Sequence, residues 1–123
     1  MSVMELGEVQ LRFAEIVWAN APIASGALVK LCEKELGWKK STTYTVLRKL
    51  CDKELFVNDG GTVKAKLTRE EYNAAKCGDI VEERFHGSLP AFVAAFMSAN
   101  PLSEREADEI RAIIDAYRKE TGQ

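Results

Sequence analysis

The sequence predicts a mainly α-helical fold with one small β-hairpin, in which residues 1–68 form one domain and residues 69–123 form a second, helical domain. Three observations lead to this fold class. Apolar residues recur every three or four positions over most of the chain, which is typical of amphipathic helices. A single Asp-Gly-Gly turn near residue 60 separates two strand-like runs, and two capping-box sequences follow it.

The first part of the chain predicts two helices joined by a short extended segment. An apolar stripe over residues 8–18 marks the first helix, and Asn20-Ala21-Pro22 ends it because proline has no amide hydrogen. Ile23-Ala24 is too short for more than a strand stub. Ser25 is a suitable N-cap for the second helix, and Gly37 ends that helix.

The third helix carries the most informative pattern. Its apolar side consists of Thr43, Val46, Leu47 and Leu50. Its opposite side bears hydroxyls, one aromatic ring and two cations, without an acid: Ser41, Thr42, Tyr44, Thr45, Arg48 and Lys49. A helix that enters the major groove of DNA needs such groups, because a carboxylate there would face phosphate. A basic surface helix has the same pattern, so this segment alone leaves both interpretations open.

A hairpin follows the third helix. Leu55-Phe56-Val57 and residues 62–67 predict its strands, and Asn58-Asp59-Gly60-Gly61 predicts its turn. Lys64 and Lys66 alternate onto one face of the second strand. Three helices in this order, followed by a basic hairpin, predict an N-terminal winged helix-turn-helix over residues 5–68, whose third helix reads DNA.

Positive charge gathers at this predicted interface. The chain has a net charge of −2, but residues 39–69 carry eight cations and only three acids. Such clustering is the electrostatic footprint of nucleic-acid binding. We therefore predict that the residues reaching into the groove are Thr42, Tyr44, Thr45 and Arg48. The predicted phosphate contacts are Lys40, Ser41 and Lys49 on the helix and Lys64 and Lys66 on the hairpin.

The last third of the chain predicts three helices that form a dimerisation domain. Capping boxes at Thr68–Glu71 and Ser103–Glu106 begin two of them, and Gly87-Ser88 and Asn100-Pro101 separate them. Their apolar faces are too large to be buried within one protomer, although folding back onto the winged helix is the alternative. The predicted homodimer interface consists of Phe92, Val93, Phe96, Ile110, Ile114 and Tyr117. A twofold dimer also suits DNA half-sites one helical turn apart.

Other classes of function find little support in the sequence. Cys32, Cys51 and Cys77 are far apart, and with the single His86 they lack the short spacing of a metal cluster, so neither metal nor cofactor is predicted. We find no catalytic constellation and predict that the chain is not an enzyme. No apolar run approaches the ~20 residues that span a bilayer, and no signal-peptide pattern is present, so we expect a cytoplasmic protein without membrane insertion. The remaining alternative is a winged-helix protein–protein interaction module, whose marker would be an exposed apolar patch on the third helix.

Four segments together carry a resemblance to a known family. They are Leu6–Trp18 followed by Ala21-Pro22, the Gly37-Trp38 pair, the Thr42-Thr43-x-Thr45-Val46-Leu47-x-Lys49-Leu50 helix, and Phe85-x-Gly87-Ser88 before the last two helices. In their order and spacing they resemble the penicillinase-repressor family of bacteria, which includes β-lactamase, methicillin-resistance and copper-responsive repressors. The resemblance implies a sequence-specific transcriptional repressor that binds double-stranded, palindromic operator DNA as a homodimer.

The chain departs from this family at several positions. Family members often have Ser or Thr in place of Lys39, Gly in place of Glu54, and a basic residue in place of Tyr44. In the β-lactam systems, a membrane sensor triggers cleavage between Asn and Phe in the dimer helices, and the matching pair here is Ala95-Phe96. Proteolysis at that pair, by such a sensor or a protease, is therefore a hypothesis only. The copper-responsive members bind metal through a C-terminal cysteine cluster, which this sequence lacks, so the inducing signal is not predicted.

Overall fold

The computed structural model describes residues 6–122 and divides the chain into two compact units, residues 1–79 and 80–123. Residues 1–5 and 123, which belong to the two predicted domains, lie outside the described residues. The boundary between the units falls inside a helix. The predicted division after residue 68 stays a prediction.

Six helices and three short strands make up the described chain. In order they are α1 (Glu8–Asn20), β1 (Ile23–Ala24), α2 (Ser25–Leu36), α3 (Lys40–Asp52), β2 (Phe56–Asp59), β3 (Thr62–Ala65), α4 (Arg69–Phe85), α5 (Leu89–Ala99) and α6 (Glu104–Thr121). The predicted fold class, mainly α with a winged helix-turn-helix, is confirmed. The second predicted strand was expected to reach Leu67, but β3 ends at Ala65, so Lys66 lies just beyond it.

The strands form one antiparallel sheet in the order β1-β3-β2. The hairpin of β2 and β3, residues 56–65, is called the wing below. Its turn residues Gly60 and Gly61 have φ values of 60° and 93°. Two positive φ values in succession are typical of the tight turn that matches strand twist, and glycine adopts them without strain. The predicted turn chemistry therefore explains where the wing reverses direction.

A core of apolar side chains holds α1, α2, α3 and the sheet together. Its largest fully buried members include Phe13, Leu28, Leu50, Leu55 and Phe56. Trp18 lies at the edge of this core, where its indole Nε1–H donates to the Leu67 carbonyl at 2.9 Å. This bond satisfies the polar group of a half-buried ring and ties α1 to the segment that follows the wing.

Two details of the first helices differ from the sequence prediction. Val9 belongs to the apolar stripe predicted over residues 8–18, but it is exposed, whereas Ala14 is buried. Ser25 was predicted as the N-cap of α2, but Ala24 has that position and Ser25 is the first helical residue. The Ser25 hydroxyl is thus not used for capping, and its actual partner lies on α3.

Capping interactions begin the C-terminal helices as predicted. Glu71 N–H donates to Thr68 Oγ1 at 3.0 Å, and Thr68 N–H donates to Glu71 Oε1 at 2.9 Å. Ser103 and Glu106 form the same reciprocal pair before α6. These local interactions account for the starts of α4 and α6 without reference to packing. Within residues 6–122, no helix combines the length and apolarity that crossing a membrane requires.

Candidate nucleic-acid interface

Helix α3 presents one anchored side and one open side. Thr43, Leu47 and Leu50 are buried on the anchored side, and Val46 is half-buried beside them. The open side consists of the exposed residues Ser41, Thr42, Thr45, Arg48 and Lys49. The structure therefore brings five of the predicted DNA-contacting residues onto one accessible helix face.

The cations of α3 carry uncompensated charge. Among residues 6–122, no carboxylate forms an ion pair with Lys40, Arg48 or Lys49. No acid lies in the first turn of the helix, and no side chain among the described residues caps it at Lys39. Backbone N–H groups at a helix start favour anions, so this end of α3 is suited to a phosphate. Arg48 supplies a planar, forked donor that can form two hydrogen bonds to one guanine or to one phosphate.

Thr45 has part of its hydrogen-bonding capacity already in use. Its Oγ1–H donates to the Ser41 carbonyl at 2.9 Å, one turn earlier in α3. The hydroxyl oxygen can still accept a bond, and the γ-methyl group is left for apolar contact. Such a side chain matches a base-edge amino group or a thymine methyl.

Tyr44 occupies the flank of α3 rather than its open side. The ring is half-buried against the core, and its hydroxyl donates to Ser25 Oγ at 3.0 Å. Its predicted contact with DNA stays a prediction. The hydroxyl proton that would bind phosphate is, however, already used within the protein.

Lys64 in the wing and Lys66 just after it each have an acidic partner. Lys64 Nζ donates to Asp59 Oδ2 at 3.1 Å, and Lys66 Nζ forms an ion pair with Glu54 Oε2. All four side chains are at least half exposed, so solvent and salt weaken these pairs. Each carboxylate nevertheless competes with phosphate for its lysine, and a lysine that moves to a phosphate leaves a negative charge nearby.

A shallow groove lies between α3 and the wing. It has a volume of about 390 Å³ and is lined by Tyr44, Leu47, Arg48, Cys51, Phe56, Val57, Asn58 and Lys66. Arg48 and Lys66 face this groove from its two sides. The fold thus places one cation of α3 and the cation that follows the wing along a single concave surface.

Burial limits the reactivity of two of the three cysteines. Cys32 is buried and Cys51 is half-buried, and burial raises the pKa of both thiols. A raised pKa keeps these thiols protonated and poorly nucleophilic. Among residues 6–122, no three side chains of the metal-binding types stand close enough to hold an ion.

The predicted dimer residues lie on the helices of the second unit. Within residues 6–122, α5 and α6 contain no buried side chain, although both carry large apolar residues. Phe96 is 52% exposed, Ile114 51% and Tyr117 59%. Phe92 contacts Phe85 and Phe96 through its ring, with centroid distances of 5.5 and 6.5 Å. The predicted cleavage pair, Ala95 and Phe96, is exposed in the middle of α5.

Comparison with known proteins assigns the chain to a family. The model of the penicillinase repressor family matches residues 6–116, which include the winged helix and most of the C-terminal helices. The chain belongs to the penicillinase repressor family. Its members are DNA-binding transcriptional regulators and not enzymes, so this chain is a transcriptional repressor.

One relative matches over nearly the whole chain. The penicillinase repressor of Bacillus licheniformis is 21% identical over 120 residues, which cover 94% of each protein. The match at this low identity extends through both units. The bacterial origin expected from the sequence agrees with this relative.

Two departures from the penicillinase repressor pattern now have a structural meaning. Lys39 is the N-cap of α3, and its side chain cannot accept the amide bond that Ser or Thr would accept. Glu54 follows α3 with a φ of 70°, a left-handed conformation that glycine adopts more easily. At these two positions, backbone chemistry favours the residue that is common in the family.

Sequence reasoning missed three residues of the candidate interface. Ser25, Glu54 and Asp59 contact predicted DNA-binding residues, but none of them was included. The pairing of Asp59 with Lys64 across the hairpin could have been predicted from the sequence, because the turn sets the register of the two strands. The partners of Ser25 and Glu54 depend on how separate elements pack.

Proposed function

We propose that the chain represses transcription as a homodimer bound to palindromic operator DNA. Helix α3 enters the major groove, and the wing follows the adjacent phosphates. The observation that carries this proposal is the open side of α3, where hydroxyls and unpaired cations are exposed and acids are absent over residues 40–51. Such a surface provides both phosphate binding and base contacts.

The apolar surface of the second unit supports the dimer. Phe92, Val93, Phe96, Met97, Leu102 and Ile110 line a wholly apolar hollow of about 230 Å³. A contiguous patch of exposed apolar side chains is typical of an interaction surface. A second copy of the chain supplies the same apolar residues, and a twofold interface places two α3 helices on two half-sites.

The interaction-module alternative predicts an apolar patch on α3. The large apolar residues that are exposed in the first unit, among residues 6–79, are Val9, Leu11 and Val57, none of which lies on α3. The open side of α3 is polar and basic instead. This distribution favours DNA over a protein partner.

Selection of bound duplexes from a random DNA pool tests the proposal. The selected duplex is then titrated at two salt concentrations, and a scrambled duplex of equal length is the control. We expect a palindrome with half-sites about one helical turn apart, bound far more tightly than the control. Binding without sequence preference that disappears as salt rises would overturn the proposal. The promoters of β-lactam-resistance genes are the first places to search for the palindrome, given the name of the Bacillus relative.

Release from DNA by proteolysis at Ala95-Phe96 is a further part of this proposal. Proteases bind substrates in extended form, so α5 must unwind locally before cleavage. The cutting agent would be a protease or a membrane sensor that responds to the inducer. Incubation of the repressor with extracts of induced cells tests this route, and a chain that stays at full length would contradict it.

A further inference from the structure

Ser25 bonds to two separate parts of the predicted DNA interface. Its backbone N–H donates to the Gly61 carbonyl in the wing turn, at 2.8 Å. Its Oγ accepts the hydroxyl proton of Tyr44 on α3, at 3.0 Å. The first residue of α2 therefore connects the tip of the wing to the flank of the reading helix.

Neither bond serves the α2 helix itself. The N–H groups of the first helical residues have no partner inside a helix, so Ser25 N–H is available for the wing. The Ser25 side chain does not cap α2, and its hydroxyl is available for Tyr44. Immediately before it, Ala24 pairs with Thr62, which is the residue after the wing turn. The chain around Ser25 thus follows the wing closely.

The Tyr44 bond restricts the position of α3. The ring packs against the core, and the hydroxyl is partly buried where it meets Ser25. A hydrogen bond with limited access to water is stronger and more directional than one on the open surface. It opposes rotation of α3 about its axis, which would turn Thr45 and Arg48 away from a base pair.

We infer that Ser25 is a positioning residue for DNA recognition. It fixes the position of α3 relative to the wing turn, so that both elements contact the same DNA site. Tyr44 acts through Ser25, because its hydroxyl proton is bound within the protein. The inference rests on the proposed function. Ser25 would thus be a determinant of sequence preference that contacts both α3 and the wing but belongs to neither element.

The test compares four variants on the selected duplex and on the scrambled duplex. We expect Ser25→Ala and Tyr44→Phe each to weaken binding to the selected duplex by about two- to tenfold, as loss of one hydrogen bond implies. The double variant should be no weaker than either single variant, because both remove the same bond. Ser25→Thr keeps the hydroxyl and should restore binding. Binding to the scrambled duplex should not change.

Ser98→Ala is the matched control. It removes a serine hydroxyl that donates to the Ala95 carbonyl at 2.7 Å inside α5. It should leave both affinities unchanged. Tyr44→Phe keeps the ring in the core, so it reports on the bond even where Ser25→Ala lowers the melting temperature.

Several results would overturn the inference. One is a double variant whose loss of affinity is the sum of the two single losses. Another is an equal loss of affinity for the selected and the scrambled duplex. A third is a single variant that prefers the selected duplex over the scrambled one as strongly as the wild type does. A wild-type chain that binds the two duplexes equally would overturn the proposed function together with the inference. If the wild type prefers the selected duplex and the variants prefer it equally strongly, only the inference is overturned.

Discussion

Glu54 pairs with Lys66 from a left-handed backbone conformation at the end of α3. Its N–H donates to the Cys51 carbonyl, and the Leu55 N–H donates to the Leu50 carbonyl, both at 3.0 Å. These two bonds close the helix in the manner for which glycine is the usual residue. Glutamate at this position both strains the backbone and neutralises a cation on the groove.

Removal of the Glu54 charge should strengthen DNA binding. Glu54→Gln keeps the side-chain size and the backbone conformation, but it leaves Lys66 available for a phosphate. We expect higher operator affinity and a salt dependence steeper by about one in log–log slope, as one added phosphate contact implies. Titration at several salt concentrations measures both quantities.

Glu33→Gln is the control for total charge, because Glu33 is exposed on α2 and forms no ion pair with a described residue. If the two variants increased the slope equally, the effect would come from net charge, and the specific role of Glu54 would be wrong.

Replacement of Glu54 by glycine should stabilise the first unit. Glu54→Gly relieves the positive φ, and the exposed ion pair that it removes contributes little. We expect the free energy of unfolding to rise by about 1 kcal/mol. Urea denaturation monitored by tryptophan fluorescence provides the measurement. Glu54→Ala loses the same ion pair but keeps the strain, so an equal gain with alanine would contradict this explanation.

Arg48 should determine a base preference. If it binds guanine through two bonds, Arg48→Ala weakens operator binding by about 1–3 kcal/mol and relaxes selectivity at one base pair. Arg48→Lys keeps the charge but loses the forked geometry, and it should lose the same selectivity. Affinities for duplexes substituted at each position reveal the affected base pair. A uniform loss over all duplexes would instead identify Arg48 as a phosphate contact.

A charge on the apolar face of α5 should separate the dimer. Phe96→Asp buries a carboxylate in the proposed interface without a partner, which is strongly unfavourable. We expect sedimentation to show a monomer and operator affinity to fall steeply, because one half-site is lost. Ser98→Asp places the same charge on the opposite side of α5 and should remain dimeric. A Phe96→Asp protein that stays a dimer would show that the interface lies elsewhere.

The sequence alone determined most helix ends, the wing turn and the exposed composition of α3. Pro22, Gly37, the Gly60-Gly61 pair and the two capping boxes act on residues no more than about four positions away. Such effects depend on local backbone chemistry and not on packing. The open side of α3 was equally predictable, because helical periodicity by itself assigns residues to faces.

Tertiary structure alone decided the partners of Tyr44 and Lys66. Tyr44 meets Ser25 across 19 positions, and Lys66 meets Glu54 across 12. Sequence patterns predicted that Tyr44 and Lys66 face DNA, but they gave no information about which side chains of other elements contact them. The reason is physical: capping and turn preferences are set by neighbouring residues, whereas contacts between elements depend on the angle and distance at which the core packs them together.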